Sequence, residues 1–342
     1  MAGAGRRGPG GWRRVARRAA GSFGSLWCRL LRGVLGAGVT SGTVVAVVGP
    51  TAAGKSALSI ALAHALGGEV VNADSMQLYR GMDIGTAKLT VAERDGVPHH
   101  LLDIWEVTEP ASVAEYQRLA RAAVDDILAR GRVPLLVGGS GLYVRAVLER
   151  FEFPGTDAVL RERLERELAE VGPAPLYARL RAADPAAAEG ILPGNGRRIV
   201  RALEVIELTG APFTASLPQP TPYYPSVQLG VDLDTGLLDE RIALRVDRMW
   251  ADGLVPETRE LVGRGLPEGR TASRALGYQQ VLRMLAGELT ESQAHDETVR
   301  ATRRFVRRQR SWFRRDPRIH WLDSATPDLI GAALRLVSAA AR

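Results

Sequence analysis

The sequence predicts an α/β protein built on a doubly wound parallel sheet, and three observations carry the prediction. Apolar, β-branched runs at 43–48, 134–137 and 227–233 have the texture of strands buried on both faces. Helical patterns at 55–66 and 113–129 alternate with them. Glycine-rich turns follow the first two runs, where a strand hands over to a helix and ligands of such sheets are bound.

Taken in order, the first strand (43–48) runs into a glycine loop and the helix 55–66. A second short strand, 69–72, leads directly to Asp74-Ser75-Met76-Gln77, and the glycine-containing stretch 80–88 reads as a loop. His99 and His100 stand beside an apolar, strand-like run at 101–105; no third ligand falls at metal spacing, so they are expected to be structural or to line a substrate. The helix 113–129 precedes the third apolar strand, 134–137, which ends in Gly138-Gly139-Ser140-Gly141.

From 151 to 216 the texture changes. Leu160, Leu164 and Leu168 recur at helical spacing among Arg and Glu, helical patterns follow at 176–182 and 197–208, and no strand signal appears. A Pro-rich stretch at 217–225 closes the segment before the strand at 227–233. The expected organisation is a core of residues 41–150 and 217–342 with a helical insertion domain at 151–216. The part from 237 onward is mostly helical, with one further strand at 319–322 and a last helix.

The net charge of +7 is not spread along the chain. Residues 1–38 hold eight arginines and no acid, which leaves residues 39–342 at −1, so the body has no general attraction for polyanions. Residues 1–40 are expected to form a disordered basic extension; an organelle transit peptide and a basic arm for RNA are the sharper alternatives. The single cysteine, Cys28, excludes an intramolecular disulfide framework. No run approaches the ~18 apolar residues of a membrane span. A cytoplasmic, monomeric protein that binds no membrane is expected.

Gly49-Pro50-Thr51-Ala52-Ala53-Gly54-Lys55-Ser56 matches G-x-x-x-x-G-K-[ST] in its required context, strand before and helix after, so the core is expected to be P-loop NTPase-like. Glycines let backbone N–H groups turn toward an anion, the helix N-terminus adds partial positive charge, Lys55 adds a full one, and Ser56 can ligate Mg²⁺. The chain has only two lysines, Lys55 and Lys88, against 43 arginines, and both lie in glycine-containing motifs. A lysine retained where arginine is the default suggests a site that fits only a compact ammonium.

An ATPase or GTPase usually places an acid at the end of a buried strand to hold Mg²⁺. Here the third strand ends in Gly138-Gly139-Ser140, and the carboxylate that follows a core strand is Asp74. It can act as a general base beside the phosphates or, alternatively, as a turn cap.

The helix at about 296–315 carries Arg300, Arg304, Arg307, Arg308, Arg314 and Arg315 at spacings that make one basic stripe, accompanied by Phe305, Trp312 and Phe313. Few acids follow Glu297, so phosphate-backbone binding is the functional reading, beside the alternative of a solvated face with an aromatic anchor to the core. Arg197, Arg198 and Arg201 add a second cluster in the insertion.

These residues resemble the tRNA dimethylallyltransferase family, also called tRNA isopentenyltransferases. The blocks that carry the resemblance are GPTAAGKS (49–56), NADSMQLYRGMDIGTAK (72–88), HHLLDI (99–104), PLLVGGSGLYVRA (134–146), GRRIVRALEV (196–205), RIALRVDRM (241–249), SRALGYQQ (273–280) and RRQRSWFR (307–314). Ala53 stands where Ser is frequent in the family, and Ser140 where Thr is frequent.

The resemblance implies transfer of a dimethylallyl group from dimethylallyl diphosphate to N6 of adenosine 37 in the tRNA anticodon stem-loop. It implies Asp74 as general base, with Thr51 and Arg245 completing the catalytic set. The loop 49–56 would hold diphosphate or nucleotide with Mg²⁺. RNA contacts would come from Asp74, Ser75, Met76, Gln77, Ser140, Arg197, Arg198, Arg201, Arg274, Gly277, Tyr278, Gln279, Arg304 and Arg308. The alternatives left by the residues themselves are an adenylate isopentenyltransferase acting on free nucleotide, an ATP-dependent small-molecule kinase, and an RNA-binding module without activity.

Overall fold

The computed structural model describes residues 42–151, 153–213 and 221–340. The basic extension with Cys28 and residues 217–220 of the Pro-rich stretch lie outside the described residues. The chain divides into two compact units, one running to Leu148 and resuming at Tyr224, the other being Glu149–Tyr223.

The larger unit is built on a six-stranded parallel sheet. Its strands are β1 (Val44–Val48), β2 (Gly68–Asn72), β3 (His99–His100), β4 (Val133–Gly138), β5 (Ser226–Asp232) and β6 (Ile319–Asp323), in the order β3-β2-β4-β1-β5-β6. All five residues of β1 are fully buried because both faces are covered. Successive side chains alternate, so Val44, Ala46 and Val48 enter one core layer and Val45 and Val47 the other. The second layer is covered by α1 (Lys55–Leu66) and the C-terminal helix Leu329–Ala340, through Leu58, Leu62, Leu334 and Val337. The first is covered by α2 (Val113–Ala129) and α3 (Gly141–Leu148), through Tyr116, Val124, Ile127, Val144 and Val147.

The chain leaves β1 toward β2 on one side and returns across the sheet from β4 to β5 on the other. The order therefore reverses between β1 and β4, and the carboxyl ends of these strands frame the crevice where such sheets bind ligands.

The expected strand at 101–105 is not formed. The strand is His99–His100 itself, paired with Val70 and Val71 of β2. Leu101 and Asp103 follow in left-handed conformation, with φ of 61° and 57°, which ends the ladder. His100 Nε2 lies 2.7 Å from Glu69 Oε2, and His99 Nδ1 lies 2.8 Å from the carbonyl of Val97, so both histidines serve the sheet edge.

The smaller unit is helical: α4 (Ala158–Val171), α5 (Pro173–Ala183), α6 (Pro185–Glu189) and α7 (Gly196–Thr209). Leu164, Leu176, Leu180, Ile199 and Leu203 form its own core. Glu204, fully buried there, accepts from Arg161 and Arg201, which compensates its desolvation.

Beyond β5 the larger unit continues with α8 (Thr235–Asp252), α9 (Leu254–Gly263), α10 (Tyr278–Leu285) and α11 (Glu291–Phe313), and the Leu329–Ala340 helix is α12. The basic helix α11 starts five residues earlier than expected. Thr290 caps it, accepting from the N–H of Gln293 at 3.2 Å while Gln293 Oε1 accepts from the N–H of Thr290 at 2.8 Å. Among the described residues, no helix is long and apolar enough to cross a membrane.

Candidate active site

The glycine loop turns sharply at Gly49 (φ 134°), Ala52 (φ 65°) and Gly54 (φ 102°). A Cβ on Gly49 would lie 2.2 Å from the carbonyl oxygen of Val231, so only glycine lets β1 turn beside β5. Lys55 and Ser56 open α1, where the first N–H groups have no partner within the helix, the arrangement by which helix N-termini can bind anions. Lys55 Nζ donates to the carbonyl of Pro50 at 2.8 Å and so spans the loop. Burial lowers its pKa from 10.5 to about 8, against the opposing charge of Asp74 and with that of Arg245.

Asp74 follows β2 in a turn fixed at both ends. Asn72 Oδ1 accepts the N–H of Asp74 at 2.9 Å, and Asn72 Nδ2 donates to the carbonyls of Asp74 and Leu101, each at 3.0 Å. Asp74 Oδ1 accepts the N–H of Met76 at 3.0 Å. The carboxylate thus has a local turn role, but only one oxygen is engaged in it, and the side chain lines a cleft.

The turn explains the carboxylate-free end of β4. A Cβ at Gly138 would lie 2.2 Å from the carbonyl oxygen of Ala73, so the segment bearing Asp74 passes directly over that glycine. Ser140 then holds the turn from the other side, its Oγ accepting the N–H of Ser75 at 3.2 Å.

The cleft has a volume of about 300 Å³. Asp74, Thr51, Ser75, Ser140, Arg245, Arg274 and Arg308 supply its polar groups, and Met76, Ile242, Val246, Met249, Leu276 and Phe305 its apolar wall. Arg245 comes from α8 and donates to the carbonyl of Thr86 at 3.2 Å. Burial lowers its pKa while the charge of Asp74 raises it, so carboxylate, guanidinium and loop ammonium share one field. A second cleft of about 700 Å³, lined by Ala52, Lys88, Arg241 and Arg248, shares Arg245 and Met249 with the first. Arg241, Arg245 and Arg248 recur at i, i+4 and i+7, one face of α8.

The segment carrying Thr86 is held by a residue to which the sequence reading gave no role. The Glu257 carboxylate accepts the N–H groups of Asp83, Ile84 and Gly85 at 3.2, 2.8 and 3.3 Å and the Tyr278 hydroxyl at 2.6 Å. Tyr278, expected among the RNA contacts, is fully buried, and its ring leaves no room for a Cβ at Gly85. Gly277 is also buried, with φ 86°, whereas Gln279 and Arg274 are exposed. Gln77 turns inward and donates to the carbonyl of Thr86 at 3.2 Å.

Lys88 is retained for a structural reason. Its ammonium donates to Asp83 Oδ1 at 2.6 Å, Asp103 Oδ1 at 2.5 Å and the carbonyl of Tyr79 at 3.0 Å. Three acceptors converge on one nearly buried point, which suits an ammonium and not a planar fork.

The arginine stripe of α11 splits in two. The expectation of few acidic partners fails for one half, because the acids come from other elements: Arg303 and Arg307 face Asp239 of α8, and Arg310 and Arg314 face Asp232 of β5. Among the described residues Arg300, Arg304 and Arg308 form no ion pair. They lie on one face at i, i+4 and i+8, exposed, with Arg308 at the rim of the cleft. In the insertion unit Arg197 and Arg198 are exposed, while Arg201 bonds Glu204 and the carbonyls of Pro154 and Gly155.

The geometry has known counterparts. The model of the IPP transferase family matches residues 77–316. A tRNA dimethylallyltransferase of Salinispora arenicola is 85% identical over 302 residues, covering 88% of each chain. That of Thermobifida fusca is 67% identical over 300 residues, 86% of this chain and 94% of its own. The full-length tRNA isopentenylpyrophosphate transferase of Bacillus halodurans superposes with a TM-score of 0.65 at 41% identity, over 86% of this chain and 94% of its own. A eukaryotic dimethylallyltransferase captured acting on tRNA superposes with a TM-score of 0.72 at 27% identity, over 83% of this chain and 74% of its own. The chain belongs to the IPP transferase family, together with these tRNA dimethylallyltransferases.

Proposed function

We propose that the chain transfers a dimethylallyl group from dimethylallyl diphosphate to N6 of adenosine 37 in the anticodon loop of tRNA, releasing diphosphate. The observation that carries this reading is that Asp74, Thr51 and Arg245 line one mostly apolar cleft. A phosphate loop, a base and a wall suited to an allyl chain and a purine therefore meet there.

The exocyclic amine of adenine is a weak nucleophile because its lone pair is delocalised into the ring. In the reaction an N6–C bond forms, the C–O bond to diphosphate breaks, and the amine proton passes to the Asp74 carboxylate. Lys55, Arg245 and the loop N–H groups take up the charge that grows on the departing diphosphate. The adenine must leave its stack to reach Asp74, at a cost of a few kcal/mol or less in an unpaired loop. Met76, Phe305 and Leu276 are the apolar faces available to receive it. The second cleft, with Ala52 of the loop and the arginine row of α8, shares Arg245 with the first and suits the approach of the diphosphate.

Mg²⁺ fits this donor set through phosphate oxygens and the Ser56 hydroxyl, which is exposed at the start of α1. Among the described residues, no cluster of three His, Cys, Asp or Glu could hold an ion by itself. When bound, the ion neutralises diphosphate charge.

The exposed face of Arg300, Arg304 and Arg308 is read as the backbone-binding surface for tRNA. The test is an acceptor comparison with labelled dimethylallyl diphosphate and tRNA, AMP or no acceptor, run beside an ATPase assay. Label in tRNA alone is expected; label in AMP, or ATP turnover without transfer, would replace this reading with one of its rivals.

A further inference from the structure

We propose that Gln309 is a positioning residue for the diphosphate loop, its side-chain amide clamping Thr51 to the turn after β4; the inference rests on the reading of that loop as a diphosphate site. Gln309 stands in the arginine-rich end of α11 yet is only 6% exposed. Its Oε1 accepts the N–H of Thr51 at 3.0 Å, and its Nε2 donates to the carbonyl of Gly139 at 2.9 Å. Both partners are main-chain groups, 258 and 170 residues away in sequence.

The chemistry selects an amide. The two backbone groups have opposite polarity, so the bridging side chain must present an acceptor and a donor at once. A glutamate at neutral pH lacks the donor, and an apolar residue would leave both groups unpaired in a buried place. Glycine at 139 belongs to the same device, because a Cβ there would lie 2.3 Å from Gln309 Nε2.

The clamp has a consequence for the loop. With the Thr51 N–H satisfied by Gln309, the start of the loop is fixed, and the N–H groups that remain for a diphosphate are those nearer the start of α1. Arg308, the adjacent residue, lines the cleft, so one helix both faces the RNA side and secures the diphosphate loop.

Three variants separate this role from mere stability: Gln309→Ala, Gly139→Ala and the double variant. Each is checked for folding by circular dichroism. Binding of Mg²⁺-pyrophosphate is measured by calorimetry, and kcat, KM for dimethylallyl diphosphate and tRNA affinity by transfer and filter binding. Gln309→Ala is expected to weaken pyrophosphate binding about tenfold, the scale of one lost hydrogen bond, and to raise KM for dimethylallyl diphosphate in step. The tRNA affinity stays within about twofold. Gly139→Ala displaces the amide and gives a similar loss, and the double variant is no worse than Gln309→Ala, because both changes act on one clamp. If Gln309→Ala does not fold, Gly139→Ala carries the test alone. Unchanged pyrophosphate affinity in the folded single variants, or full additivity in the double, overturns the clamp. A wild-type protein that binds pyrophosphate but transfers no prenyl group overturns the reaction instead, and the clamp is then judged on pyrophosphate affinity.

Discussion

Replacing Asp74 with Asn removes the proposed base and leaves its surroundings in place. Asp74 Oδ1 accepts the N–H of Met76 at 3.0 Å, and an Asn carbonyl can accept the same bond, so the turn after β2 persists. Ala in place of Asn would lose that bond as well, at about 0.5–1.5 kcal/mol. Loss of a positioned general base costs a factor of ~10²–10⁴ in rate, which corresponds to about 2.7–5.4 kcal/mol of activation free energy. The assay is single-turnover transfer from dimethylallyl diphosphate to tRNA at saturating substrates, with tRNA affinity measured in parallel. The variant has a second signature: the Asp74 charge raises the Lys55 pKa, so its removal drops that ammonium further below about 8. Asp74→Asn is therefore expected to bind diphosphate with wild-type affinity at pH 6.5 and more weakly at pH 8. A rate within threefold of wild type refutes the base; parallel loss of rate and tRNA affinity reduces Asp74 to its turn role.

Wild-type diphosphate affinity is itself expected to depend on pH in a stated direction. The Lys55 pKa is lowered in the folded protein from 10.5 to about 8, so the ammonium loses its proton as pH rises through about 8. Affinity then falls, at most about tenfold per pH unit, and binding above pH 8 takes up a proton, which calorimetry in buffers of different ionisation enthalpy detects. For folding the sign reverses: the unfolded chain holds the proton more tightly between about 8 and 10.5, so this group favours the folded state increasingly as pH rises across that window. Arg304→Glu with Arg308→Glu should weaken tRNA binding and lower its salt dependence, whereas Arg307→Glu with Arg314→Glu, changing residues already paired to Asp239 and Asp232, should do so far less; equal effects would dissolve the division of the helix into two faces. Lys88→Arg should destabilise the fold by about 1–3 kcal/mol, read as a lower Tm, because a guanidinium cannot meet Asp83, Asp103 and the Tyr79 carbonyl at one point; an unchanged Tm would remove the reason given for a lysine there.

What was legible in the sequence was local. The loop 49–56 could be read because its glycines, Lys55 and Ser56 are contiguous, and the runs of β1, β4 and β5 because strands buried on both faces are continuously apolar. The site is otherwise made of non-local pairings. Asp232 and Asp239 lie tens of residues before the arginines they pair with, so the basic stripe looked unopposed. Lys88 looked like a ligand site because its acceptors, among them Asp103, converge only after the 80–105 segment folds back. Glu257, Gln309 and the burial of Tyr278 left no trace in composition or spacing. The short β3 was missed because two residues give no period-2 pattern, and the left-handed Leu101 ends it where the apolar run begins.

In the proposed reaction the loop of residues 49–56 holds a leaving group and Asp74 receives the proton of an adenine amine. An unmodified tRNA is incubated with the protein, Mg²⁺ and dimethylallyl diphosphate and digested to nucleosides, whose masses are measured. The proposed reaction requires one adenosine, at position 37, to carry a dimethylallyl group on N6, formed with stoichiometric diphosphate and absent with Asp74→Asn. Unmodified tRNA, or a prenylated nucleoside formed equally well by Asp74→Asn, would contradict it.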